Sequence, residues 1–157
     1  MTNNISCKDS CVFGLSIDST DSLRSRVQLY LCSNCENKQN TAFFFSPTVG
    51  GTVVSTFLYN PKYFISETGR VISTSGSGVQ FVRNMLYFGT LNITFVETEG
   101  DQDMVYVYFT GFNLLGQQSP ELFSFGFPVP KVNVVIKNCT DRKCIKLPFV
   151  TAPIFTP

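Results

Sequence analysis

Alternation with a period of two, repeated in short runs along the chain, is the feature that most restricts how this sequence folds. In residues 26–31, Val27, Leu29 and Leu31 share one face. Leu91, Ile93 and Phe95 alternate with Asn92, Thr94 and Val96, and Phe123, Phe125 and Phe127 stand opposite Ser124 and Gly126. Val132, Val134 and Ile136 repeat the pattern between Lys131 and Lys137. Successive side chains of a strand point to opposite faces, so these runs read as half-buried strands. Residues 12–17, 42–46, 52–59 and 79–88 are further strand candidates, and the β-branched and aromatic run 104–109 reads as a strand buried on both faces. Residues 80–87 are the one stretch with a helical alternative, and their Val and Phe content favours a strand.

Turn chemistry fills the gaps: Gly50-Gly51, Asn60-Pro61, Glu67-Thr68-Gly69, Ser75-Gly76-Ser77-Gly78, Gly100-Asp101 and Ser119-Pro120. Strand-sized runs spaced about 8–12 residues apart read as a sandwich or barrel, not as βαβ units. The expectation is an all-β, antiparallel β-sandwich spanning residues 1–147 as one domain. Residues 148–157, rich in Pro, form an extended C-terminal segment. A chain of 157 residues with 43% hydrophobic content, including 16 Phe and 6 Tyr, has ample material for a packed core.

Composition closes several functional classes. There is no His, so triads and acid/base schemes that need a group titrating near neutrality are excluded. A net charge of +1 argues against nucleic acid, which selects a marked basic excess. No apolar run approaches the roughly 20 residues of a membrane span, so no membrane insertion is expected. Trp, the strongest sugar-stacking anchor, is absent.

Six cysteines fall in three local doublets, Cys7 and Cys11, Cys32 and Cys35, Cys139 and Cys144. An even count in close pairs suits disulfide staples, although six thiols allow 15 connectivities and spacing does not choose among them. A four-thiolate zinc site is the competing reading, but only Cys32-Ser33-Asn34-Cys35 has the usual knuckle spacing. Disulfides call for an oxidising compartment, hence an extracellular location. Asn4, Asn92 and Asn138 each open an N-glycosylation sequon; chance alone gives about two, so they add nothing to that inference. Residues 1–6 have neither the basic nor the apolar region of a leader.

Glu97, Glu99, Asp101 and Asp103 alternate around Gly100. The pattern reads as a charged hairpin tip, with a Ca²⁺ loop or a glycosidase carboxylate pair as its functional alternatives. No metal site, cofactor or catalytic residue is assigned. Arg24 and Arg26 form one basic neighbourhood; Lys137, Arg142, Lys143 and Lys146 form another. Phe43-Phe44-Phe45 reads as core plus one exposed ring, and residues 75–78 as a mobile loop. Tyr59 and Tyr63 flank Asn60-Pro61 as aromatics of a turn. Tyr59, Tyr63, Arg24 and Arg26 are the binding candidates.

Three segments carry a family resemblance. Cys11-Val12-Phe13-Gly14 with Ile17-Asp18-Ser19, the run from Arg26 to Cys35, and the run from Asn133 through Cys139 and Cys144 to Pro148-Phe149 are each similar to segments of the coronavirus spike S1 amino-terminal domain. The resemblance covers about a third of the chain and carries over no binding residues. It implies a galectin-like sandwich (a jelly-roll-like one being the related arrangement) on a virion surface, without catalysis. The function expected is therefore a non-enzymatic extracellular recognition domain for a host or cell-surface glycan or protein receptor. The alternatives are a self-associating assembly module (capsid, fibre head or adhesin) and an intracellular zinc-stabilised β domain.

Overall fold

Alternation sets the strands, and the turns between them set their order. The computed structural model describes residues 13–33, 40–48, 51–120 and 124–138. The elements are β1 (Phe13–Thr20), β2 (Arg26–Cys32), β3 (Thr41–Ser46), β4 (Gly51–Leu58), β5 (Lys62–Ser66), β6 (Gly69–Val82), β7 (Met85–Val96), β8 (Gln102–Phe112) and β9 (Ser124–Pro130). A single 3-10 turn, Lys131–Asn133, then leads into β10 (Val134–Asn138). The strands form one sheet in the order β10-β1-β2-β3-β4-β6-β7-β8-β9, with β5 paired to β6 off that path.

This order corrects the expected sandwich to a nearly closed antiparallel barrel. β9 and β10 occupy opposite ends of the strand order, yet only the three residues of the 3-10 turn separate them in the chain. Each step along the path is antiparallel, so β9 and β10 run in the same direction. Residues 124–138 thus act as one bent strand, pairing with β8 by the first half and with β1 by the second. Two stacked sheets would leave those edges apart. Here Asn133 Nδ2 donates to Ser19 Oγ at 3.2 Å, tying the turn to β1. Across the interior, the rings of Phe44 on β3 and Phe127 on β9 stack at 5.8 Å and 20°.

The inward positions of every strand on this path from β1 to β9 meet in one core. Leu15, Leu29, Phe44, Val53, Ile72, Leu91, Phe95, Val105 and Val129 are all buried in it. Parity alternates without interruption along β7 and β8, which is why their odd-numbered residues are buried and their even-numbered ones face out.

Two local expectations change. Residues 75–78, read as a mobile turn, lie in the middle of β6. Their glycines serve close approach: a Cβ on Gly76 would lie 1.9 Å from the Phe57 carbonyl oxygen. Residues 79–88, read as one strand, contain a two-residue hairpin turn. Val82 pairs with Met85 across Arg83 and Asn84, whose φ angles are 50° and 61°. Such turns require positive φ, usually signalled by Asn-Gly or Asp-Gly, and Arg-Asn hides the signal. Tyr63 and Phe64 belong to β5 and not to a turn.

The expected stapling is corrected in one respect: no disulfide joins two strands of the described sheet. Cys32 is the one described cysteine, buried and disulfide-bonded at the end of β2. Cys7, Cys11, Cys35, Cys139 and Cys144, like the segment 148–157, lie outside the described residues. Closure of the barrel by the bent strand and its single core holds the described part together. Among the described residues no helix is long and apolar enough to cross a membrane.

Candidate functional site

A bulge in β4 builds the most distinctive surface. Gly51 and Val53 point inward, but the register shifts between Ser55 and Phe57, so that Ser55 pairs with Gly78 and Phe57 with Ser77. The extra residue reverses parity. Leu58 enters the core, while Thr56 and Phe57 both face out. Bulges commonly re-aim a side chain in this way. Ser55 Oγ accepts from the Ala42 N–H at 2.8 Å, and the hydroxyls of Thr56 and Ser77 lie 2.8 Å apart.

The backbone beyond the bulge is pinned to β6. The Tyr59 N–H donates to the Ser75 carbonyl at 2.8 Å, and the Thr74 hydroxyl donates to the Tyr59 carbonyl at 2.7 Å. Tyr59 is therefore an exposed ring on a fixed main chain. It meets Phe57 edge to face, with centroids 5.0 Å apart and planes at 89°.

From here three shallow hollows run across the outer face of the barrel. The first, of about 410 Å³, is lined by Asn40, Thr41, Thr56, Phe57, Leu58, Tyr59 and Asn60. The second, of about 330 Å³, shares Tyr59 and Asn60 and continues over Lys62, residues 73–75 and residues 92–94. The third, of about 250 Å³, shares Asn92 and Thr94 and ends on Tyr106, Val107, Tyr108 and Ser124. Strand register explains the continuity. Ser75 pairs with Asn92, Asn92 with Tyr108 and Tyr108 with Ser124, so the outward residues form a lateral row. Four inter-strand spacings from β4 to β9 give a track roughly 19 Å long.

The chemistry of the lining is uniform. Among the described residues it offers aromatic faces, amides and hydroxyls, with Lys62 as the only charged group and no carboxylate. Nothing in it pairs a nucleophile with a base. Among the described residues the clear electrostatic perturbations lie elsewhere. The Arg70 guanidinium, hydrogen-bonded to Glu97 at 2.9 Å through Nε, holds that carboxyl below its usual range. Burial pushes the Tyr30 phenol up.

Of the four binding candidates, the structure places only Tyr59 in the track. Tyr63 is half-buried and packs on the core. Arg24 sits exposed in the β1–β2 turn with φ 65°. Arg26 pairs with Asp18 at 3.5 Å and lies opposite Phe45, at the far end of β3 from Thr41. Lys137 falls in β10, while Arg142, Lys143 and Lys146 lie outside the described residues.

The acidic run is a hairpin tip joining β7 to β8, and its carboxylates diverge. Glu97 binds Arg70. Asp103, buried, accepts from Lys131 Nζ at 2.8 Å and from the Thr98 N–H at 3.0 Å. Glu99 and Asp101 are exposed. Among the described residues no group of three or more His, Cys, Asp or Glu is placed to hold a metal ion. The calcium reading is corrected accordingly, and the zinc-stabilised alternative is corrected at Cys32, the one described cysteine, which is disulfide-bonded. Of the sequon residues, Asn92 is exposed within the track, Asn138 ends β10, and Asn4 lies outside the described residues.

Sequence reasoning missed Phe57, Tyr106 and Tyr108 as surface groups. The signal was present for the tyrosines. Tyr106 and Tyr108 alternate with Val105, Val107 and Phe109, and the polar-tipped rings are the outward set. For Phe57 no such signal exists, because the bulge that turns it out is a property of the pairing with β6.

Comparison with known protein families, with curated proteins and with solved structures finds no match. The resemblance to the coronavirus spike S1 amino-terminal domain thus gains no support from the comparisons, and the sandwich it implied is replaced by the barrel. The expectations of a secreted glycoprotein serving viral attachment likewise have no support in the comparisons, and the disulfide-stapled sandwich gives way to the barrel.

Proposed function

We propose that the protein is a non-enzymatic recognition module that binds a neutral carbohydrate chain along the outer track. One observation carries the reading: three hollows that share lining residues present rings, amides and hydroxyls, with no carboxylate among the described residues that line them. A sugar ring has an apolar C–H face and a rim of hydroxyls. Tyr59, Tyr106 and Tyr108 match both, since each supplies an aromatic face and a phenol at its tip. Asn60, Asn92, Ser75 and Thr94 supply donors and acceptors in a plane set by the sheet. An elongated, shallow site suits several rings of an oligosaccharide, each held weakly.

The test is a titration of ¹⁵N-labelled protein with a panel of neutral oligosaccharides, followed by amide chemical shifts. Perturbations should cluster on residues 57–60, 73–75, 92–94 and 106–108, with a Kd of roughly 0.1–1 mM. Tyr106→Ala should weaken binding about tenfold through loss of one ring contact. A panel that moves no amide at millimolar sugar, or moves only residues outside the track, would overturn the assignment.

A further inference from the structure

At the other end of the same strands the outer face changes character. Val54 pairs with Val79, Val79 with Phe88 and Phe88 with Phe112, giving an apolar row across β4, β6, β7 and β8. Phe81 and Leu86 pair in the next row. The inward residues of these strands, such as Val53, Val82, Leu91 and Phe109, already fill the barrel core. The outward set is surplus to it: Phe81, Leu86, Phe88 and Phe112 are 48%, 48%, 49% and 56% exposed. Beyond Phe112 the β8–β9 connection adds Leu114 at 92% and Leu115 at 78%.

We propose that a second copy of this chain covers this field, so that the protein is a two-fold dimer joined through the outer faces of β6, β7 and β8. Area is the first argument. A half-exposed aromatic ring leaves about 100 Å² of surface, and the whole field comes to roughly 600 Å². That is at the upper limit of the largest patch on an ordinary monomer and, with a polar rim, meets the roughly 800 Å² per partner of a standard interface. Shape is the second. The field is four strands wide, which a single extended segment would leave mostly uncovered. A second apolar sheet face of similar width covers more of it, and this chain carries one. A two-fold contact places like against like, so one patch suffices for both partners. Charge is the third. The named side chains are uncharged and the chain carries only +1, so two copies meet with little repulsion. The dimer does not depend on what the track binds.

Sedimentation equilibrium of the full chain at concentrations up to about 100 µM tests this. The wild type should sediment at twice 17.5 kDa. Phe88→Asp should weaken association at least about 100-fold, because each substitution occurs twice across the two-fold axis. Leu86→Lys, at the less central row, should weaken it in the same direction and guards against a folding defect in the first variant. Both should keep the far-UV circular dichroism of the wild type, and Tyr106→Ala should remain dimeric. A wild type that stays monomeric overturns the proposal and leaves the field to a different occupant. A dimer that survives both folded variants overturns it as well, placing the interface elsewhere.

Discussion

Gly89→Ala tests how closely β7 and β8 approach. Gly78, Gly89 and Gly111 pair side by side across β6, β7 and β8, all on the inward face. A Cβ on Gly89 would lie 1.9 Å from the Thr110 carbonyl oxygen and 2.4 Å from Gly111 Cα. Relief requires β8 to withdraw by about 1 Å, against a ladder that holds it at Phe88–Phe112 on one side and Thr90–Thr110 on the other. Weakening two ladder bonds costs about 2 kcal/mol. Local overpacking adds about 1–3 kcal/mol. Reduced freedom of the unfolded chain returns under about 1 kcal/mol. The net loss is about 2–4 kcal/mol, a large share of the roughly 5–15 kcal/mol that holds a typical domain. Gly100→Ala is the control, since the nearest atom to its Cβ, Thr98 Oγ1, is 3.8 Å away. It should stay within about 0.5 kcal/mol of the wild type. Urea unfolding followed by far-UV circular dichroism measures both, as the chain has no Trp to report by fluorescence. A Gly89→Ala variant as stable as the control would refute the close approach of β7 and β8.

Other expectations concern the core and the ion pairs. Phe44→Ala removes a fully buried ring that stacks on Phe127, and should cost about 3–5 kcal/mol in the same urea assay. Lys131→Met leaves the buried Asp103 carboxylate with only the Thr98 N–H; because the lysine is partly exposed, the loss should be about 2 kcal/mol, seen as a lower thermal midpoint. Glu97 titrates below its ordinary value of 4.5 because Arg70 stabilises its charged form. Its contribution is therefore complete above that value and fades as pH falls through the lower folded one. Urea midpoints taken downward from pH 6 should show Glu97→Gln less stable than the wild type near neutrality and the difference closing in acid.

Strand character was legible where one face of a strand is polar. Residues 26–31 and 91–96 declared both their strand character and their buried face, because Gln28, Asn92 and Thr94 contrast with Val, Leu and Ile. Closure was not legible. Whether alternating strands stack as two sheets or curl into one depends on β9 and β10 sharing a bent segment, and on glycines that read equally well as turns. Gly76 and Gly78 carry no positive φ, so their purpose lies wholly in the neighbouring backbone of β4. The site was legible only at Tyr59. Its partners come from β6, β7 and β8, and register is a tertiary property that a one-residue slip would invert. The apolar outer row hid for a related reason: Phe88 and Phe112 look like core residues until parity assigns the core to Tyr87, Leu91 and Phe109.

The row of glycines also separates the two surfaces. On one side of Gly78, Gly89 and Gly111 the next outward row is Ser77, Thr90 and Thr110; on the other it is Val79, Phe88 and Phe112. The change from hydroxyl to apolar chemistry falls on the row of glycines. Phe88 and Asn92 are four residues apart on β7, about 13 Å along the strand. Substitutions so separated, without shared partners, act nearly additively. Phe88→Asp should therefore leave the oligosaccharide affinity of each chain within about twofold while dispersing the dimer. The dimer, carrying two tracks, should gain on a surface-bound polysaccharide through effective concentration. Surface plasmon resonance on immobilised polysaccharide separates the terms: slower dissociation for the wild type, fast dissociation for Phe88→Asp, and equal affinities for short oligosaccharides in solution. Equal dissociation rates for the two proteins on the surface would show that the apolar field contributes nothing to avidity.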